Sequence, residues 1–229
     1  MAKNPRVDPL SERVNDLLQR EKWAEARGLL ERERKVDPEN HWLITQIGVT
    51  YYEQRKYEEA LRYFLMSREI VTDCPLTLWN LAGALDSLGK SADALSVYTW
   101  LLQTNKSPDD DPCWESKAWT DSLKADCVYR VGVCLGHLGK SQKAENCYRQ
   151  YLNLLSIGID GSYTIDDIKR EFRELHRTSK SDGTASEFRK AVKATLQISG
   201  IEPHNVRRIT PPEIRFGKRH RERRSLGKQ

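Results

Sequence analysis

Two triplets, Gly89-Lys90-Ser91 and Gly139-Lys140-Ser141, match the end of a phosphate-binding loop. Such a loop cradles phosphate on backbone N–H groups and needs a second glycine five residues before the first. Ala84 and Cys134 stand at those places, and neither triplet follows a strand-like run, so both read as turns. Five cysteines (Cys74, Cys113, Cys127, Cys134 and Cys147) contain no Cys-x-x-Cys pair, the spacing that zinc ribbons and redox motifs use. Cys127 and Cys134 are seven apart and could share a helix face. As a set the cysteines read as reduced thiols used as small apolar groups, which fits a reducing compartment. No two of His41, His137, His176, His204 and His220 are three to five residues apart, so spacing reveals no metal-binding pair. Asp109-Asp110-Asp111 lacks the alternating ligands and the glycine of a calcium loop. No Gly-x-Ser-x-Gly or other nucleophile signature occurs. The expectation is a protein that is not an enzyme, with no catalytic residues, no metal and no cofactor.

The elements around these residues repeat. Ala26, Ala60 and Ala94 lie 34 residues apart, in Lys22-Trp-Ala-Glu-Ala26, Lys56-Tyr-Glu-Glu-Ala60 and Lys90-Ser-Ala-Asp-Ala94; Lys140-Ser-Gln-Lys-Ala144 follows the third after 50. A period of 34 denotes a repeated helix–turn–helix unit. In each first helix the apolar residues share one face: Ile44, Ile47, Gly48, Tyr51; then Leu78, Leu81, Ala82, Leu85; then Val128, Val131, Gly132, Leu135. The small residue in each set (Gly48, Ala82, Gly132) allows a paired helix close approach. Second helices repeat as Ala60, Leu61, Phe64, Leu65, then Ala94, Leu95, Tyr98, Leu101, then Ala144, Cys147, Tyr148, Tyr151. Gly89 and Gly139 suit the left-handed end of a helix, and Asp37-Pro38 and Cys74-Pro75 separate the first units.

This pattern resembles the tetratricopeptide repeat (TPR) family. The resemblance rests on Gly48, Tyr51, Tyr57, Ala60 and Phe64, on Leu81, Gly89, Ala94 and Tyr98, and on Gly132, Gly139, Ala144 and Tyr148. It implies an all-α fold, a short right-handed solenoid with C-terminal closing helices. The expected organisation is an N-terminal extension at 1–6 and four units over 7–158. These lie at about 7–40, 41–74, 75–104 and 113–158, with an insert at 105–124. The first unit has Val14 where a small residue is expected and reads as a cap. The insert predicts a loop at 105–112 and an early start that lengthens the first helix of unit four. Closing helices follow at 159–200. Ile165, Ile168, Phe172 and Leu175 mark one, with Thr164 and Asp167 as a capping box, and a second is expected near 186–198. The tail at 201–229, with Pro211-Pro212 and few large apolar residues, reads as flexible.

The resemblance also implies a concave face lined by the first helices. Counted from the alanines, it carries Trp42, Thr45, Gln46, Val49, Tyr52 and Glu53, then Leu76, Trp79, Asn80, Gly83, Asp86 and Ser87, then Asp126, Tyr129, Arg130, Val133 and His137. Its Trp, Tyr and Arg content is of the kind that dominates binding hot spots. The candidate contact set is Trp42, Gln46, Val49, Tyr52, Trp79, Asn80, Tyr129 and Arg130. The alternative is that some of these rings pack between units or under the insert. Some TPR domains hold a partner's terminal carboxylate with Lys, Asn, Asn, Lys and Arg. Only Asn80 and Arg130 match that set; Thr45, Val49 and Asp126 stand elsewhere in it, and Asp126 would repel a carboxylate. A helix or an extended peptide is the better expected partner.

Of 229 residues, 38% are hydrophobic and 31% charged, with 38 Lys and Arg against 33 Asp and Glu. Residues 201–229 hold nine basic and three acidic groups, a net of +6, so residues 1–200 sum to −1. Arg215, Lys218, Arg219, Arg221, Arg223 and Arg224 form a basic run that could meet nucleic acid or an acidic surface through salt-sensitive contacts, or act as a nuclear import signal in a eukaryote. No stretch of 18 uncharged apolar residues occurs, and the start lacks the apolar run of a secretory leader. The expected location is cytoplasmic. The expected role is a non-catalytic adaptor, scaffold or chaperone-like factor, the alternative an RNA- or ribosome-associated factor that uses the tail.

Overall fold

A computed structural model describes residues 9–106 and 112–177. The helix expected near 186–198 and the basic tail lie outside the described residues. Among those described, nine α-helices run in order: α1 (Pro9–Gln19), α2 (Trp23–Val36), α3 (His41–Glu53), α4 (Tyr57–Ile70), α5 (Pro75–Ser87), α6 (Ser91–Gln103), α7 (Lys117–His137), α8 (Ser141–Ser156) and α9 (Ile165–Arg177). No strand occurs among the described residues. Each helix packs on the next in the chain, and α3 also touches α5. This is the stacking of helical hairpins that the 34-residue period requires.

The period reappears in the backbone. Positive φ angles occur at Glu21 (60°), Arg55 (61°), Gly89 (76°) and Gly139 (71°), each at the turn inside a hairpin. At each turn the following lysine N–H reaches back to close the first helix: Lys22 to Leu17 O (2.9 Å), Lys56 to Tyr51 O (3.0 Å), Lys90 to Leu85 O (2.9 Å) and Lys140 to Leu135 O (2.8 Å). A left-handed residue at this point satisfies carbonyls that the helix leaves unpaired. The two Gly-Lys-Ser triplets are therefore turns and helix starts.

Close approach explains the small residues. A Cβ added at Gly48 would lie 2.5 Å from the Phe64 ring, and one at Gly132 would lie 2.7 Å from the Tyr148 ring. Ala26, Ala60, Ala82, Ala94 and Ala144 are wholly buried. Val14 is also buried, packed with Leu29, Leu30, Leu43 and Ile47 where the first hairpin meets α3.

From Pro112 the insert makes a 3-10 turn at Pro112–Trp114 and then enters α7, whose 21 residues make it the longest described helix. It begins at Lys117, later than the sequence suggests, because Ser116 caps it: the Ser116 hydroxyl oxygen accepts from Trp119 N (3.2 Å). Trp114 is fully buried, edge-on to Trp119, and its carbonyl accepts from the Thr120 hydroxyl (3.2 Å). The 3-10 turn touches both α5 and α7. At the other end Thr164 and Asp167 cap α9 reciprocally: Thr164 N donates to Asp167 Oδ2 (2.9 Å) and Asp167 N to Thr164 Oγ1 (3.2 Å). Ile168, Phe172 and Leu175 bury the inner stripe of α9.

Candidate functional site

The first helices place the candidate contact residues in two environments. On α3, Trp42 and Tyr52 are half-buried, while Gln46 and Val49 between them are buried. Trp42 leans on the core beneath the first hairpin. Tyr52 lies edge-on to Tyr57 (centroids 5.3 Å) and rests over Gly83 of α5, where a Cβ would meet its hydroxyl at 3.4 Å. Both residues remain partly exposed.

On α5 and α7 the rings turn inward. Trp79 is 4% exposed and packs edge-on against Tyr98 (5.2 Å). Tyr129 has no exposed surface; it stacks on Tyr163 with centroids 3.9 Å apart and meets Tyr148 and Tyr151. The expectation that Trp79 and Tyr129 present their rings to a partner is corrected here. The segment leading into α9 supplies Tyr163, and α9 itself supplies Glu171, whose Oε1 accepts from the Tyr129 hydroxyl (3.4 Å). Asn80 is also turned to the chain, its side-chain amide donating to Leu76 O in its own helix (2.8 Å).

Arg130 belongs to a network that locks unit three to unit four. Its guanidinium bonds Asp86 Oδ2 (3.1 Å) and the Tyr98 hydroxyl (3.2 Å). Asp86 Oδ1 pairs with His137 Nδ1 (2.9 Å) and accepts from the Ser91 hydroxyl (2.8 Å). Burial opposes the Asp86 carboxylate, but the His137 hydrogen bond and the Arg130 charge outweigh it and hold its pKa below the ordinary carboxylate value. The bond to Asp86, opposed by partial burial, raises the His137 pKa. Asp126 is used likewise, accepting from Ser162 N (2.8 Å) and the Tyr151 hydroxyl (3.4 Å). With Thr45 and Val49 also buried, the carboxylate-holding arrangement of some TPR domains is not formed here.

A second constellation was hidden by distance in sequence. His41 opens α3, Cys74 precedes α5 at its N-cap, and Cys113 lies in the 3-10 turn of the insert. Their donor atoms all fall within 4.8 Å of one another, and Cys113 Sγ lies 3.7 Å from His41 Nε2. Cys74 is buried and the other two are half-buried. A hydrogen bond from Cys113 draws the Cys74 thiol down to about 4, with His41 and Thr77 acting the same way against burial. Three hydroxyls pack below: Thr45 Oγ1 lies 2.7 Å from Ser67 Oγ and 2.8 Å from Thr77 Oγ1, and Ser67 Oγ donates to His41 O (2.9 Å). The remaining cysteines behave as apolar groups. Burial pushes the Cys134 thiol up to about 12 and also raises those of Cys127 and Cys147. None of the five forms a disulfide.

No protein-family model matches the sequence, and no curated protein does. Solved structures do. The chain resembles a "MamA RS-1 ArsTM double mutant" at TM-score 0.59 and 13% identity, over 86% of this chain and 97% of that one. It resembles a crystal structure of MamA protein at TM-score 0.53 and 15% identity, over 88% and 98%. It also resembles a Podosopora anserina putative kinesin light chain with nearly identical TPR-like repeats, at TM-score 0.60 and 13% identity, over 88% and 100%. The fold is thus an all-α, TPR-type solenoid. No described helix is long and apolar enough to cross a membrane.

Proposed function

We propose that this protein is a non-catalytic adaptor or scaffold that holds a helix or extended peptide of another protein against the face of its first helices. The supporting observation is the stripe on α3, where Trp42 and Tyr52 remain partly exposed at either end of the buried Gln46 and Val49. Arg130, whose side chain is 16% exposed, and His137, half exposed, add polar anchors farther along the stack. Trp79, Asn80 and Tyr129 would shape this surface from beneath rather than touch the partner. Partly exposed aromatic rings on one helix face are the kind of anchor a helix or extended peptide uses. The test is quantitative capture of partners by the full chain and by Trp42→Ala/Tyr52→Ala, with Trp100→Ala on α6 as an exposed control. Capture that falls at least tenfold with the α3 pair and not with the control supports the reading; equal capture by all three refutes it.

The charge distribution favours a second reading, in which Arg215, Lys218, Arg219, Arg221, Arg223 and Arg224 contact nucleic-acid phosphate or an acidic protein. Deleting 206–229 should then abolish binding to a generic RNA and leave the α3-dependent capture intact. RNA affinity that ignores salt, or survives the deletion, removes it.

A further inference from the structure

We infer that His41, Cys74 and Cys113 bind one zinc ion, which pins the insert between units three and four to the starts of α3 and α5. The ligand types favour that ion. Thiolate and imidazole donors select borderline-soft metals, and two Cys with one His is a zinc set that leaves a fourth position for water or an outside ligand. The geometry fits as well. Zinc–sulfur and zinc–nitrogen bonds of about 2.3 and 2.0 Å in a tetrahedron separate ligand atoms by roughly 3.5–3.8 Å. The 3.7 Å between Cys113 Sγ and His41 Nε2 lies in that range, and the remaining separations, all within 4.8 Å, close with small side-chain rotations.

The backbone and packing around each ligand are fixed by neighbouring residues. Ser67 bonds the His41 carbonyl, and Ser67 in turn joins Thr45 and Thr77 in the hydroxyl cluster. Cys74 occupies the N-terminus of α5, followed by Pro75 at the first helical position, where the helix dipole favours a thiolate. Cys113 is placed by the wholly buried ring of Trp114. An ion here would tie together three elements distant in sequence: the starts of α3 and α5 and the 3-10 turn of the insert. Bland packing of thiols does not require an imidazole nitrogen to converge on two sulfurs.

The test uses the full-length chain purified without chelator or added metal. Elemental analysis should find about one zinc per chain. The chelated apo protein should take up cobalt(II) with a thiolate-to-cobalt charge-transfer band and the visible bands of a tetrahedral site. Cys113→Ser, His41→Asn and Cys74→Ser should each weaken zinc at least tenfold in chelator competition, and Cys147→Ser should not. Cys113 sits in the insert, so its variant keeps the repeats folded, which circular dichroism will check. No stoichiometric zinc with no tetrahedral cobalt spectrum overturns the inference. So does a Cys74–Cys113 disulfide that forms in place of metal, or full zinc affinity in both Cys113→Ser and His41→Asn.

Discussion

Replacing Gly48 with alanine should destabilise the chain, whereas the same change at Gly28 should stabilise it. Both glycines lie inside helices, α3 and α2. In each, alanine gains about 0.8–1 kcal/mol of helix propensity. At Gly28 a new Cβ meets nothing within 4 Å, so that gain stands. At Gly48 it would lie 2.5 Å from Phe64 Cε1 and 2.8 Å from Cδ1, and the Phe64 ring is fully buried. Overpacking of a filled core costs about 1–3 kcal/mol, and contacts this short belong near the upper end. The net loss is then about 1–2 kcal/mol. In a chain of this size a kcal/mol moves Tm by roughly 2–4 °C. Urea denaturation followed by helical circular dichroism, with thermal melts beside it, should show opposite shifts for the two variants. Shifts of the same sign, or a stabilised Gly48→Ala, would refute the close approach of α3 and α4.

Arg55→Gly should stabilise by about 0.5–1 kcal/mol in urea titrations, since Arg55 holds a φ of 61° that a side chain disfavours and glycine adopts freely. Tyr129→Ala should cost about 3–5 kcal/mol as a core truncation, read by the same titration. The Asp86–His137 pair makes the junction of units three and four pH-dependent. The depressed Asp86 contributes stability present above the ordinary carboxylate value of 3.8 and lost as pH falls through its lowered folded value. The raised His137 contributes stability that is full below 6.5 and lost as pH rises through its raised folded value. The stability gap between wild type and Asp86→Asn, measured from pH 3 to 9, should therefore be widest between those limits and narrow at both ends.

The repeat was legible because the same steric demands recur at a fixed distance. Gly48 and Gly132 sit under rings, and Gly89 and Gly139 sit at left-handed turns. The equivalent turns at Glu21 and Arg55 leave no such mark, because the local backbone is held there against residue preference. The candidate surface was half legible. Position in the unit assigns Trp79 and Tyr129 to the first-helix face, but whether a ring on that face meets solvent depends on what covers it. Tyr98 and the distant Tyr163 settle that for these two residues. The thiol–imidazole cluster was illegible by local spacing. His41 and Cys74 are 33 residues apart, one short of the repeat, and in a stacked array one period apart means neighbours in space. Cys113 joins them only through the path of the insert.

The most direct test of the adaptor reading is partner capture by the full chain, Trp42→Ala/Tyr52→Ala and the Trp100→Ala control, repeated at low and high salt. The account predicts a captured protein that persists at high salt and is lost with the α3 pair alone. Capture that survives loss of both rings, or that disappears with salt in every form of the chain, would contradict it.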